Sequence, residues 1–304
     1  MLDSLYRWQI SVIRGLQSFQ SPGLDGFFRG LSWLGEDVGY LFLLTVLWVA
    51  VRPKPAARTA IVLFLSFWLN SLLKELLGQP RPFELGGVQK LVHETSNGIP
   101  SGHAQSSLLF WGMMVGFFPS VRWLRGLAVA LVLGIALSRV YLGVHFPTDI
   151  LGAWAVAAGL LWLYWRGETG FERVLGQLSP RSWVRFAGVF CALGLFVHRS
   201  PTSAAALGAL FGTVAGLALE AARGGTQAGT APSEARSPGL RVFHTLMALC
   251  GCAVLYLGLK SIFPAEGEPG WLFFRFARYA AIGFWVAAGT SAVFRLEPAA
   301  RSTA

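Results

Sequence analysis

The sequence predicts an all-α, polytopic helical membrane protein with about nine transmembrane helices. Three observations carry that expectation. The 304 residues are 54% hydrophobic and 13% charged, where a soluble domain of this size carries about a quarter charged residues. The mean hydropathy is +0.54. Apolar runs of spanning length recur along the whole chain.

The net charge of +10 would also suit a nucleic-acid partner. No soluble segment gathers basic and aromatic residues, so no nucleic acid is expected. The charge reads instead as basic loops facing anionic headgroups. Cys191, Cys250 and Cys252 lie inside apolar segments and read as small core residues, not as a disulfide framework or metal site. Asp3, Arg7, Gln9 and Arg14 interrupt the first residues, which therefore do not read as a cleavable signal.

Residues 4–20 place Leu5, Trp8, Val12, Ile13, Leu16 and Phe19 at helical spacing, with Arg7, Arg14 and Gln17 between. Such a helix either lies in the membrane interface or packs on the bundle. Ser21-Pro22-Gly23 ends it. Spanning helices are expected near 36–51, 58–78, 103–119, 123–140, 148–165, 183–199, 203–221, 241–263 and 271–294. The third and fourth are short for a ~30 Å hydrocarbon core at ~1.5 Å per residue. Helices that begin or end at a polar pocket would have that length.

Orientation follows from the basic residues. Arg52, Lys54, Arg58, Arg122, Arg125, Arg166, Arg173, Arg181, Arg185, Arg223, Arg236 and Arg241, with Arg295 and Arg301 in the tail, fall on one side. The positive-inside rule makes that side cytoplasmic. The N-terminus and the loops 79–102 and 139–147 then face outside. Lys260, Arg275 and Arg278 near the outer side weaken the bias. The Gly-rich stretch 224–233 reads as a flexible loop. The loop 166–182 reads as the boundary between an N-terminal and a C-terminal bundle. Trp33, Trp123, Trp165 and Trp271, near helix ends, read as belt residues.

Three stretches put ionisable groups at helix ends, where they are costly and mark function. The first is Lys74, six residues, then Arg81-Pro82. Lys74 ends a helix, and Pro80 and Pro82 stiffen the chain around Arg81. Read alone, Lys74 snorkels and Arg81 touches headgroups. The second is Pro100-Ser101-Gly102-His103. It offers helix-end N–H groups, a hydroxyl and an imidazole, a ready anion site, or merely a capped helix start. The third is Ser138-Arg139 followed by His145 and Asp149. A carboxylate four residues after a histidine can orient it, and a nearby arginine can hold an oxyanion. Together the stretches supply three cations, a helix-end donor cluster and two histidines on one side of the membrane. That inventory suits a phosphate monoester. No cluster of Asp, Glu, His or Cys has metal spacing, so metal-free chemistry with no cofactor is expected. His93, His198 and His244 match no motif; His93 reads as a solvated loop residue, the other two as structural.

Lys74-x6-Arg81-Pro82, Pro100-Ser101-Gly102-His103 and Ser138-Arg139-x5-His145-x3-Asp149 resemble the three signature motifs of the type 2 phosphatidic acid phosphatase (PAP2) superfamily, in its membrane lipid phosphatase branch. The match covers about residues 30–165. The resemblance implies a 1–30 N-terminal segment, a 31–166 PAP2-like catalytic core and a 183–304 C-terminal transmembrane bundle of unassigned role. It implies His145 as the nucleophile that forms a phosphohistidine, Asp149 as its hydrogen-bond partner, and His103 as general acid and then base. Lys74, Arg81, Ser101, Gly102 and Arg139 would bind the phosphoryl oxygens, where phosphate or vanadate would also sit. The expected partner is a membrane lipid phosphate or diphosphate. Undecaprenyl diphosphate, phosphatidic acid and phosphatidylglycerol phosphate all fit, with the site on the outer face of the cytoplasmic membrane. Phosphotransfer to another acceptor, a glucose-6-phosphatase-like sugar-phosphate hydrolysis and lipid flipping by the C-terminal bundle are the alternatives.

Overall fold

The computed structural model describes residues 2–224 and 237–295. All but Gly224 of the expected loop 224–233, together with Arg236 and Arg301, lies outside them. Among the described residues the chain is helical, with no strand. In order it forms α1 (Leu2–Gln17), α2 (Pro22–Leu34), α3 (Asp37–Val46), α4 (Pro53–Leu77), α5 (Gly102–Phe117), α6 (Arg122–Tyr141), α7 (Pro147–Gln177), α8 (Pro180–Val197), α9 (Pro201–Ala222), α10 (Pro238–Ile262), α11 (Trp271–Phe284) and α12 (Thr290–Arg295). π turns at Leu47–Val51 and Trp285–Gly289 extend α3 and join α11 to α12.

By length and hydropathy, α4, α6, α7, α8, α9 and α10 can cross a membrane, and the pair α2–α3, bent by 55°, makes a seventh candidate. The 16 residues of α5 give about 24 Å at ~1.5 Å per residue, under the ~30 Å core. The π turn splits the last predicted span. The expected count of nine is thus not reached by these criteria. Two helical stretches go beyond the sequence expectation. The run Ser21-Pro22-Gly23 ends α1 and also starts α2: the Ser21 hydroxyl accepts from the Leu24 N–H, and Pro22 takes the first helical position, which needs no N–H. The expected loop 166–182 is helical through Gln177, because Glu168 and Glu172, one turn apart, pair with Arg58 and Lys54.

The chain divides into two compact units, one of residues up to Leu41 with Leu69–Arg166, the other of Phe42–Trp68 with Gly167 onward. In the first, α1 packs on the bundle. Ile13 is fully buried among Ala104, Ala136, Val140, Phe146 and Ile150. The Gln9 side-chain oxygen Oε1 accepts from the Thr148 N–H and hydroxyl at 2.9 and 2.8 Å, capping the start of α7. The amide of Gln17 donates to the carbonyls of Tyr141 and Gln89 at 3.0 and 2.9 Å. α2 buttresses the end of α6: Phe28 stacks on Tyr141 at 4.2 Å, and the Tyr141 hydroxyl donates to Asp25 at 2.7 Å.

The second unit is built on close helix approach. Gly208, Gly212 and Gly216 recur every four residues along one side of α9. A Cβ at Gly208 or Gly212 would run into the carbonyls of Phe276 and Ala280 on α11, and one at Gly216 would lie 2.6 Å from the Ala287 Cβ. From the facing side, a Cβ at Gly283 would lie 3.0 Å from the Thr213 N–H nitrogen. Backbones this near gain van der Waals contact that lipid cannot supply.

Candidate active site

The site lies in the first unit, where the end of α4, the starts of α5 and α7 and the end of α6 converge. Backbone bonds lock these ends together. The Ser101 N–H donates to the Asp149 carbonyl at 3.2 Å, and the Gly98 N–H to the Gln79 carbonyl at 2.8 Å. After α6 the chain reverses through Gly143 at φ +72°, a left-handed conformation that favours glycine. A side chain there would also meet the Gln89 carbonyl and Gln17. The reversal lets the Arg139 carbonyl accept from the N–H groups of Val144 and His145, at 3.2 and 3.3 Å. Arg139 and His145 are thereby fixed to one turn.

His145 is 1% exposed. Its Nδ1 lies 3.1 Å from Asp149 Oδ2, and its Nε2 lies 3.3 Å from Arg81 Nη1. These partners decide the tautomer. A carboxylate only accepts and a guanidinium only donates, so Nδ1 carries the proton and Nε2 presents its lone pair. Burial, and then the nearby Lys74, Arg81, Arg139 and His103, push the His145 imidazole well below its ordinary pKa, which keeps that lone pair available. Asp149 is itself held: Oδ2 accepts from the Phe146 N–H at 2.9 Å and Oδ1 from the Gln79 amide at 2.8 Å.

Arg81 is 1% exposed, and acceptors hold each of its nitrogens in place. Nη1 donates to the Val144 carbonyl at 2.7 Å, Nε to the Ser96 carbonyl at 2.5 Å, and Nη2 to Glu94 at 3.1 Å. Arg139 donates to Ser32 at 2.5 Å and pairs with the other Glu94 oxygen, while its Nε has no hydrogen-bond partner. Glu94 thus bridges two buried arginines. Lys74 reaches the same loop, donating to the Asn97 and Gly98 carbonyls at 2.6 and 3.4 Å. Ser101 caps α5. Gly102 and His103, the first two residues of that helix, present backbone N–H groups without helical acceptors. The His103 ring packs against Gly35, where an added Cβ would lie 3.2 Å away, and its buried Nε2 has no hydrogen-bond partner.

The structure therefore joins Arg81, Arg139, His145 and Asp149 directly or through Glu94, and places Ser101, Gly102 and His103 beside them through the Ser101–Asp149 bond. Lys74 grips the loop that carries Glu94 rather than another motif residue. Sequence reasoning missed Glu94, Gln79 and Ser32. Gln79 beside Pro80 and Glu94 in the loop 79–102 carry no spacing that marks them. His93, one residue from Glu94, is exposed. Among the described residues, no three His, Cys, Asp or Glu side chains converge as metal ligands.

Fold and site together define a helical membrane protein with two buried arginines bridged by Glu94 and a histidine oriented by a carboxylate. Residues 55–172 match the PAP2 superfamily, and residues 204–301 match the transmembrane extension of PAP2 superfamily phosphatases. The chain belongs to the PAP2 superfamily of phosphatases. It is similar to a phosphatidylglycerophosphatase B of Bacillus subtilis, 28% identical over 158 residues, covering 47% of this chain and 75% of that one. It is also similar to an undecaprenyl-diphosphatase of Sulfolobus acidocaldarius, 26% identical over 159 residues, covering 51% and 76%. A probable sphingosine-1-phosphate phosphatase of Dictyostelium discoideum is 26% identical over 164 residues, covering 50% of this chain but 40% of that protein.

Proposed function

We propose that this protein hydrolyses a lipid phosphate or diphosphate through a phosphohistidine on His145, at the outer surface of the cytoplasmic membrane. The observation that carries the reading is the orientation of His145, with Nδ1 on Asp149 and Nε2 toward Arg81 at 3.3 Å. In the first step the Nε2 lone pair forms a bond to phosphorus as the bond to the leaving oxygen breaks. His103, which takes up a proton as the anionic substrate binds beside it and offsets the cations around it, gives that oxygen the proton. The imidazole becomes positive, and Asp149 stabilises it through Nδ1–H. In the second step His103 takes a proton from water, the water oxygen bonds to phosphorus, and the P–N pair returns to His145. Arg81, Arg139 and the α5 N–H groups hold the three oxygens over which charge spreads.

Glu94 bridges the two arginines as a carboxylate, so a dianionic phosphoryl group meets guanidiniums already held in place. The relatives are named for a phosphatidylglycerol phosphate, a polyprenyl diphosphate and a sphingosine phosphate. What these substrates share is a terminal phosphate on a membrane-held apolar tail, and this is the substrate class proposed here. The positive-inside distribution of arginines supports an outward-facing site.

The test is phosphate release by purified protein in detergent, with EDTA, from undecaprenyl diphosphate, phosphatidic acid and phosphatidylglycerol phosphate. Wild type is expected to act on at least one, and His145→Ala on none. An acid-labile, alkali-stable phosphoprotein trapped from the wild type would support the intermediate. Wild-type rates in the His145→Ala variant would sink the proposal.

A further inference from the structure

The second unit buries an arginine that the chemistry above does not use. Arg278 of α11 is 8% exposed, and its Nε has no hydrogen-bond partner. The guanidinium lies over the rings of Tyr256 and Tyr279, at 5.2 and 5.5 Å from their centroids. Arg275, one turn earlier on the same side of the helix, lies over the Tyr279 ring at 5.8 Å and donates its Nε to the Pro201 carbonyl at 2.9 Å. Among the described residues no carboxylate forms an ion pair with either arginine. Two cations therefore share one aromatic ring with no counter-charge among the described residues. Ring stacking satisfies the flat face of a guanidinium, but its five N–H donors point outward in the plane. In an apolar bundle those edge donors demand an anion.

The surroundings say where the anion comes from. Tyr256 is 36% exposed on α10, a helix of spanning length whose Val254 and Leu257 are 70 and 63% exposed. The Arg278 guanidinium thus lies behind a partly exposed ring on a lipid-length helix, where the phosphate of a lipid can reach its edge donors. We infer that Arg278 and Arg275, with Tyr256 and Tyr279, form a second anion site that binds the phosphate group of a membrane phospholipid.

The test is native mass spectrometry of the full chain in detergent, titrated with phosphatidylglycerol, phosphatidylcholine or orthophosphate. Phosphatidylglycerol is a phosphodiester, so binding is read without turnover and stands independently of the catalytic proposal. Wild type is expected to bind phosphatidylglycerol more tightly than phosphatidylcholine. Arg278→Gln should weaken that binding about tenfold or more, the scale of a charge-assisted contact, and Arg275→Gln several-fold. Where Arg278→Gln fails to fold, Arg275→Gln carries the comparison. Displacement of the lipid by millimolar orthophosphate would assign the site to phosphate from either source. No displacement would assign it to the intact headgroup with its chains. Wild-type phosphatidylglycerol affinity in both arginine variants would overturn the inference.

Discussion

Replacing Asp149 by asparagine isolates what its charge does for His145. Asp149 accepts from His145 Nδ1, the Phe146 N–H and the Gln79 amide at 3.1, 2.9 and 2.8 Å. An asparagine with its carbonyl at the Oδ2 position keeps the first two bonds. Its NH2 then faces Gln79, whose own amide can turn to present oxygen. Geometry survives and the charge is lost. In the proposed mechanism that charge matters when His145 turns cationic on attack. A unit pair ~5 Å apart at an effective dielectric of ~20 is worth about 3 kcal/mol. A charge-assisted bond exceeds a neutral one by about 1–2 kcal/mol. A loss of about 2–4 kcal/mol in the transition state lowers kcat roughly 30- to 1,000-fold. The assay is steady-state phosphate release from a lipid phosphate, with thermal unfolding as a control for the fold. Because the ground-state imidazole is neutral, KM should move little. A folded Asp149→Asn variant with kcat within threefold of wild type, beside an inactive His145→Ala, would refute the orienting role.

Three further outcomes follow from the same contacts. Glu94→Gln removes the charge between Arg81 and Arg139, so the ligand-free protein should lose thermal stability, and orthophosphate or vanadate should restore more of it than in wild type, because a dianion replaces the missing carboxylate; equal ligand-induced shifts would count against the bridge. His145 is held neutral below its ordinary pKa of about 6.5, so its contribution to stability is full above that pH and is lost as pH falls below it, by at most ~1.4 kcal/mol per pH unit; the melting temperature of wild type should therefore drop more between pH 6.5 and 5.5 than that of His145→Asn. Gly212→Leu would drive a side chain into the Ala280 carbonyl, and an overpacking cost of about 1–3 kcal/mol or more should appear as a lower melting temperature in detergent; an unchanged melt would mean that the two helices separate without penalty.

Composition alone makes the chain helical and membrane-bound, because few charged residues and repeated apolar runs leave no other class. The motif residues were legible for a local reason. Lys74 and Arg81, Ser101 to His103, and Arg139, His145 and Asp149 each sit within one helix end or turn, where spacing reports geometry. Glu94, Gln79 and Ser32 were not legible, since each meets its partner across a long chain separation: Ser32 meets Arg139 across 107 residues. The helix α2 was hidden because one serine–proline pair both stops and starts a helix. α1 stayed ambiguous because its stripe of apolar residues suits lipid or protein equally. Only the burial of Ile13 and the capping by Gln9 choose between them.

That choice bears on the chemistry. Gln9 caps the turn that carries Asp149, and Gln17 ties the Tyr141 carbonyl, at the end of the Arg139 helix, to the loop of Gln89. Arg14 donates to Gly87 in the same loop at 2.6 Å, and that loop continues to Glu94. A helix outside the three motifs thus braces the His145–Asp149 turn from one side and the Glu94 bridge from the other. A buried ion pair is a weak stabiliser once its desolvation is counted, so the arginines paired through Glu94 need such bracing to keep their positions, and the proposed phosphate clamp depends on it. The precision of the site then rests on polar contacts from α1, and side chains that never touch the substrate help set how closely His145 Nε2 and the guanidiniums are held.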